Sequence, residues 1–166
     1  FKDLAGEGQR TCCHKGRGLI ACGAPCSGDY GKHAIECHKG GGVVKRHDAV
    51  KDVLAAWIDK VGPCPVRKEQ EIPEWNTEYE RAVLDIIMFD KSGQRKCIDV
   101  RITDGSEAVG TPPRYALMRA EKQKHRRYQS AEMIPFVLDC RGKWGGEALA
   151  LIKSVTQHLD AQEQSK

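Results

Sequence analysis

No stretch of the sequence approaches the roughly 20 consecutive apolar residues that a membrane-spanning helix needs. The opening residues, Phe1 to Gly8, have neither an apolar signal-peptide core nor an initiator Met, which leads us to expect a piece of a longer protein. No internal repeat is visible. Strong net charge is missing too, since the formal balance is only +4. What is present is 166 residues, 40% apolar and 30% charged. That composition suits a soluble, folded chain with room for one cored domain and a small appendage.

The cysteines are unevenly spread. Cys12, Cys13, Cys22, Cys26 and Cys37 crowd the start among His14, His33 and His38, whereas Cys64, Cys97 and Cys140 are scattered. A disulfide scaffold would distribute its cysteines and would rarely mix in histidines. The pattern indicates a metal site in a reducing compartment. Cys22-x3-Cys26-x6-His33-x3-Cys37 offers four ligands of the right chemistry for structural zinc, with Cys12 or Cys13 as a substitute for Cys26 and His38 for Cys37. Residues 1–42, rich in Gly, Cys and His, are therefore expected to form a zinc module held by metal rather than by a core. Gly40, Gly41 and Gly42 are expected to close it as a flexible joint. Tyr30, Lys32 and Lys39 are candidate nucleic-acid contacts of this module.

Residues 43–166 read differently. Asp48 can cap a helix carrying Val50, Val53, Leu54, Trp57 and Ile58, stopped by Gly62-Pro63. Val66–Ile72, Ala82–Phe89 and Lys96–Thr103 read as strands, the last two joined by the turn Asp90 to Gln94. After a Gly/Pro-rich loop (105–113) come a helix over Arg114–Tyr128, a strand over Met133–Cys140 and a final helix burying Ala148, Leu151, Ile152, Val155 and Leu159. Such an order packs as an α/β domain, a mixed sheet flanked by helices.

Two carboxylates stand out. Asp85 sits within Val83 to Ile87 and Asp99 within Cys97 to Arg101, and Asp is disfavoured inside apolar strands. If the strands form a hairpin, both side chains can share a face. Like charges that close need a cation between them. Mg²⁺ or Mn²⁺ suits such a pair, with Glu71 as a third ligand and Glu69 as its rival. The structural alternative pairs Asp99 with Arg101 and Asp85 with a nearby Lys. In the next helix Glu121, Lys124, His125 and Tyr128 fall on one face, so Lys124, or alternatively Lys122, can reach the site. The basic residues Lys45, Arg46, Arg101, Lys122, Arg126 and Arg127 are candidate contacts for a nucleic-acid backbone.

The element order and these residues resemble the PD-(D/E)XK nucleases, and most closely the restriction-like endonuclease domain of non-LTR retrotransposons. The resemblance rests on Cys22, Cys26, His33 and Cys37 followed by Arg46-His47-Asp48, on the spacing of Asp85 and Asp99, and on Lys124 four residues before Tyr128. It departs from the family at Leu84, where Pro is usual, and at Arg101, where the strand Lys is usual. What the resemblance implies is a restriction-endonuclease-like core (αβββαβ) that nicks DNA with Mg²⁺ or Mn²⁺ and leaves a 3′-hydroxyl. This end would prime reverse transcription of the element's RNA by a reverse transcriptase domain of the same polyprotein, in the nucleus. Asp85 and Asp99 would hold metal, Lys124 would support the reaction, and Tyr128 and His47 would orient the site. Two alternatives share the fold: a nucleic-acid-binding domain without catalysis, and a junction-resolving nuclease.

Overall fold

The computed structural model describes residues 12, 15, 22–24, 33, 37–62, 65–103 and 114–163, the last six by backbone alone. The chain divides into two compact units, Phe1–Arg46 and His47–Lys166. Among the described residues no helix is long and apolar enough to cross a membrane.

The second unit is built on a four-stranded sheet in the order β1-β2-β3-β4. Strand β2 (Val83–Phe89) pairs antiparallel with both β1 (Arg67–Glu71) and β3 (Arg95–Thr103), and β4 (Met133–Asp139) lies parallel to β3. The β2–β3 hairpin closes on Asp90, whose Oδ1 accepts the amides of Ser92 at 2.9 Å and Gln94 at 3.0 Å. Gly93 supplies the positive φ of 77° that this turn demands. A parallel neighbour requires a crossover, and helix α2 (Arg114–Arg127) lies between β3 and β4 in sequence. The fold is thus α/β, a mixed sheet flanked by helices, as the element order led us to expect.

Strand alternation sorts the core. Ile86, Met88, Ile98, Val100 and Phe136 pack with Leu54, Ala55 and Ile58 of α1 (Gly42–Val61) and with Ala148, Leu151 and Val155 of α3 (Gly146–Glu163). From α2, Leu117 and Ala120 pack on Val137. A further cluster joins Ile87, Cys97 and Met133 to Ile72, Leu84 and Tyr128. The Leu159 side chain, expected in the core, lies outside the described residues, as do Pro63 and the 105–113 loop.

One expectation needs correction. Asp48 is not a cap, because α1 already starts at Gly42 and Asp48 stands inside it. The helix extends upstream through Val43 to His47, and inside it Asp48 pairs with Lys51 three residues on, as helical spacing allows, and also meets His47. The glycines of the expected joint fall in a 3-10 turn, Lys39–Gly41, and at Gly42, the first residue of α1. Gly40 and Gly41, at φ 76° and 70°, take a left-handed path that side-chain-bearing residues resist.

Helix α2 is clasped to the start of α3. Glu121, only 8% exposed, accepts the Glu147 amide at 3.0 Å, satisfying a donor at the α3 N-terminus. His125 Nε2 meets the Glu147 carboxylate at 2.8 Å. At the C-terminal end of α2, just beyond His125, the Tyr128 ring packs on Trp75 with centroids 5.7 Å apart, and Arg127 pairs with Glu80.

Candidate functional site

In the β2–β3 ladder Ile87 faces Cys97 and Ile86 faces Ile98, so the next pair outward is Asp85 and Asp99. Residues opposite one another across antiparallel strands present their side chains to the same face. The expected juxtaposition of the two carboxylates is therefore present. Where the recorded pairing stops, the Asp85 side chain takes over as acceptor, and its Oδ2 receives the Val100 amide at 2.7 Å.

Each carboxylate has a basic partner, and neither is the one that the structural alternative named. His47, in the early turns of α1, places Nε2 3.2 Å from Asp85 Oδ2. Its other nitrogen, Nδ1, lies 3.3 Å from Asp48 Oδ1. A ring with a carboxylate at each nitrogen is best satisfied as the doubly protonated imidazolium, which donates to both. The hydrogen bond to Asp85, working against burial and aided by Asp48, raises the His47 pKa to about 9. Lys124 Nζ donates to Asp99 Oδ2. Arg101 instead donates to Gln123 Oε1 at 2.6 Å.

The two aspartates titrate apart. Burial pushes Asp85 up, but the bonds from His47 and the Val100 amide outweigh it and hold the carboxyl below its ordinary range. At Asp99, 6% exposed, burial dominates; Lys124 opposes it, the charge of Asp85 adds to it, and the pKa is raised. The two carboxylates repel each other, and His47 and Lys124 supply the positive charge that offsets the repulsion.

The remaining expected residues distribute as follows. Glu71 faces Val83, not Asp85, and its carboxylate engages Asn76 Nδ2 at 2.8 Å and Arg81 at 3.8 Å. The third-ligand expectation is corrected accordingly: register sets Glu71 two residues from the place where it would meet Asp85. Its rival Glu69 falls opposite Asp85 in the register but turns to Lys51. Tyr128 is 3% exposed, and burial, then the Asp99 charge, raises its pKa. Of the shared helix face expected on α2, Lys124 serves Asp99, whereas Glu121 and His125 serve α3. Lys122 and Arg126 are exposed on α2, and Lys45 is exposed on α1. Arg127 lies 4.8 Å from the Tyr128 ring centre, and Arg46 is half-buried in the first unit.

In the first unit, one ligand atom each of Cys12, Cys22, His33 and Cys37 lies within 4.8 Å of every other. Cys12 Sγ is 3.7 Å from Cys37 Sγ, and Cys22 Sγ is 3.3 Å from His33 Nε2. Zinc–sulfur bonds of about 2.3 Å at tetrahedral angles set the sulfurs about 3.8 Å apart, so the spacing fits a four-coordinate metal such as zinc. Cys12, named above as a substitute for Cys26, is thus one of the four among the described residues; Cys26, Tyr30 and Lys32 lie outside them. Backbone pairing places Cys12 there. Cys12 N–H donates to Ala24 O at 2.8 Å and Gly23 N–H to Cys12 O at 3.0 Å, bringing Cys12 alongside Cys22. Gly23 turns there at φ 71°. The Ala24 amide, ahead of opposing burial, lowers the Cys22 pKa to about 7, which favours the ligating thiolate. Burial raises that of Cys37.

The second unit is thus an α/β domain with a paired-aspartate site, and the first holds a Cys/His cluster able to bind metal. Neither family models, nor curated proteins, nor solved structures give a match to the chain.

Proposed function

We propose that this chain is a metal-dependent DNA endonuclease of the PD-(D/E)XK, restriction-like kind, serving a non-LTR retrotransposon. It nicks target DNA by phosphodiester hydrolysis, leaving a 3′-hydroxyl from which a reverse transcriptase domain of the same polyprotein copies the element's RNA in the nucleus. The observation that carries the reading is the placement of Asp85 and Asp99 side by side, one bearing His47 and the other Lys124. Mg²⁺ is commonly held by one or two carboxylates together with substrate phosphate, so this donor set fits Mg²⁺ or Mn²⁺ without a third protein carboxylate. When bound, such an ion supplies positive charge against the scissile phosphate and makes a water easier to deprotonate.

The chain's own residues do the rest. Asp85 and Asp99 hold the ion, and the Val100 amide and His47 fix the Asp85 carboxylate. Lys124 Nζ offers a donor and a charge where negative charge grows on the phosphate. Tyr128, packed on Trp75, anchors the end of α2 that carries Lys124. Lys45, Lys122 and Arg126 meet the DNA backbone. The first unit binds structural zinc through Cys12, Cys22, His33 and Cys37 and contributes to nucleic-acid binding.

A second reading has its own support: both carboxylates are already neutralised by basic side chains, the arrangement expected of a binding domain without catalysis. Supercoiled plasmid incubated with the protein and Mg²⁺ or Mn²⁺ separates the two. Nicked circles whose ends a DNA polymerase extends without phosphatase treatment support the nuclease; tight binding without nicking supports the alternative.

A further inference from the structure

Lys51 is 5% exposed. Lysine is seldom buried to that degree, and a buried ammonium persists only when carboxylates surround it. Here its Nζ donates to Asp48 Oδ1 at 3.2 Å and to Glu69 Oε1. The same Asp48 oxygen faces His47 Nδ1 at 3.3 Å, and His47 Nε2 faces Asp85 at 3.2 Å. Glu69 has a φ of 53°, the one left-handed non-glycine among the described residues. It falls between the paired positions Lys68↔Ile86 and Gln70↔Leu84, hence opposite Asp85. Backbone strain of this kind persists only where surrounding contacts hold it, and here it sends the Glu69 carboxylate to α1.

We propose that Lys51 is a positioning residue: anchored on Glu69 of the sheet edge, it fixes Asp48, and Asp48 fixes the His47 ring against Asp85. The network Glu69–Lys51–Asp48–His47–Asp85 runs unbroken from β1 to the carboxylate pair. It works as the outer hydrogen-bonding partners of a metal ligand do, setting the orientation of a group that touches that ligand. The inference deepens the nuclease reading and rests on it only for its effect on rate.

The test uses the full chain labelled with ¹⁵N in histidine. Ring nitrogen signals of His47 and plasmid nicking with Mn²⁺ are compared among wild type, Lys51→Met, Lys51→Arg and Asp48→Asn. Asp48 is half-exposed, so its variant probes the same link with little risk to folding. The His47 signals are expected to move in Lys51→Met and Asp48→Asn and to return towards wild type in Lys51→Arg. Nicking should fall about 10- to 100-fold in the first two, the range seen when an outer partner of a metal ligand is lost. In combination with His47→Ala the loss should not multiply, because Lys51 acts through that ring. Unmoved His47 signals in Lys51→Met would overturn the proposal, whatever Asp48→Asn does, because Asp48 touches the ring directly. A wild type that nicks nothing would defeat the nuclease reading alone, since the ring signals still decide the role of Lys51.

Discussion

A methyl group at Gly145 tests how α2 is held in register with the sheet. A Cβ built there would lie 2.4 Å from Glu121 Oε1 and 3.2 Å from Val137 O. Gly145 N–H donates to that same Val137 carbonyl at 2.8 Å, so the backbone has little room to retreat. The Glu121 carboxylate must give way, losing its bond to the Glu147 amide. Loss of a side-chain acceptor at a helix N-terminus costs about 0.5–2 kcal/mol, and tight packing adds about 1 kcal/mol or more. Gly145→Ala should therefore destabilise the protein by about 1.5–3 kcal/mol, the sum of those terms. Glu121→Ala alone should cost about 0.5–2 kcal/mol. In the double variant the obstructing oxygen is gone, so the two losses should fall short of their sum by about 1 kcal/mol or more. Urea unfolding of the four proteins measures this coupling. Additivity within about 0.5 kcal/mol would refute the clasp as the reason that Gly145 is glycine.

Other consequences follow from the same geometry. His47 has a pKa raised from 6.5 to about 9. Its contribution to stability should be complete below pH 6.5 and disappear as pH rises through about 9. Its ring is 31% exposed, and screening limits the effect to about 1–2 kcal/mol, seen as the difference between wild type and His47→Gln in urea unfolding across that range. An equal pH dependence in both proteins would contradict the assignment. Cys12→Ser should lower bound zinc in purified protein, measured by atomic absorption, whereas Cys26→Ser should leave it unchanged; the reverse would restore Cys26 as the ligand. Phe136→Ala should cost about 3–5 kcal/mol, because the ring is buried and meets Trp144 edge-on. Calorimetry or urea unfolding checks this, and a cost under about 1 kcal/mol would mean that the core closes over the gap.

The sheet was legible because its strands announce themselves locally. Ala82–Phe89 and Lys96–Thr103 are apolar, bounded by polar turns, and each has one carboxylate out of place. That anomaly, together with the hairpin turn, was enough to pair Asp85 with Asp99. The third acidic position was less accessible. Glu69 and Glu71 differ only by two residues along one strand, and the choice depends on register and on a left-handed bend that no local preference of Glu encodes. Cys12 was legible only as a substitute ligand beside Cys13, since its approach to Cys22 comes from backbone pairing rather than from short ligand spacing. Asp48 misled because the side chain that caps a helix also pairs well inside one. Lys51 did carry a signal: it stands four residues after His47 and three after Asp48, on one helical face.

The central claim is that Asp85 and Asp99 form a metal-dependent cutting site. The most direct test is the rate of plasmid nicking in Mg²⁺ or Mn²⁺ by wild type beside Asp99→Ala, with folding and zinc content checked in both. The account predicts nicking by wild type and none above background by the variant, with both proteins folded and equally loaded with zinc. Nicking by Asp99→Ala at the wild-type rate would contradict it.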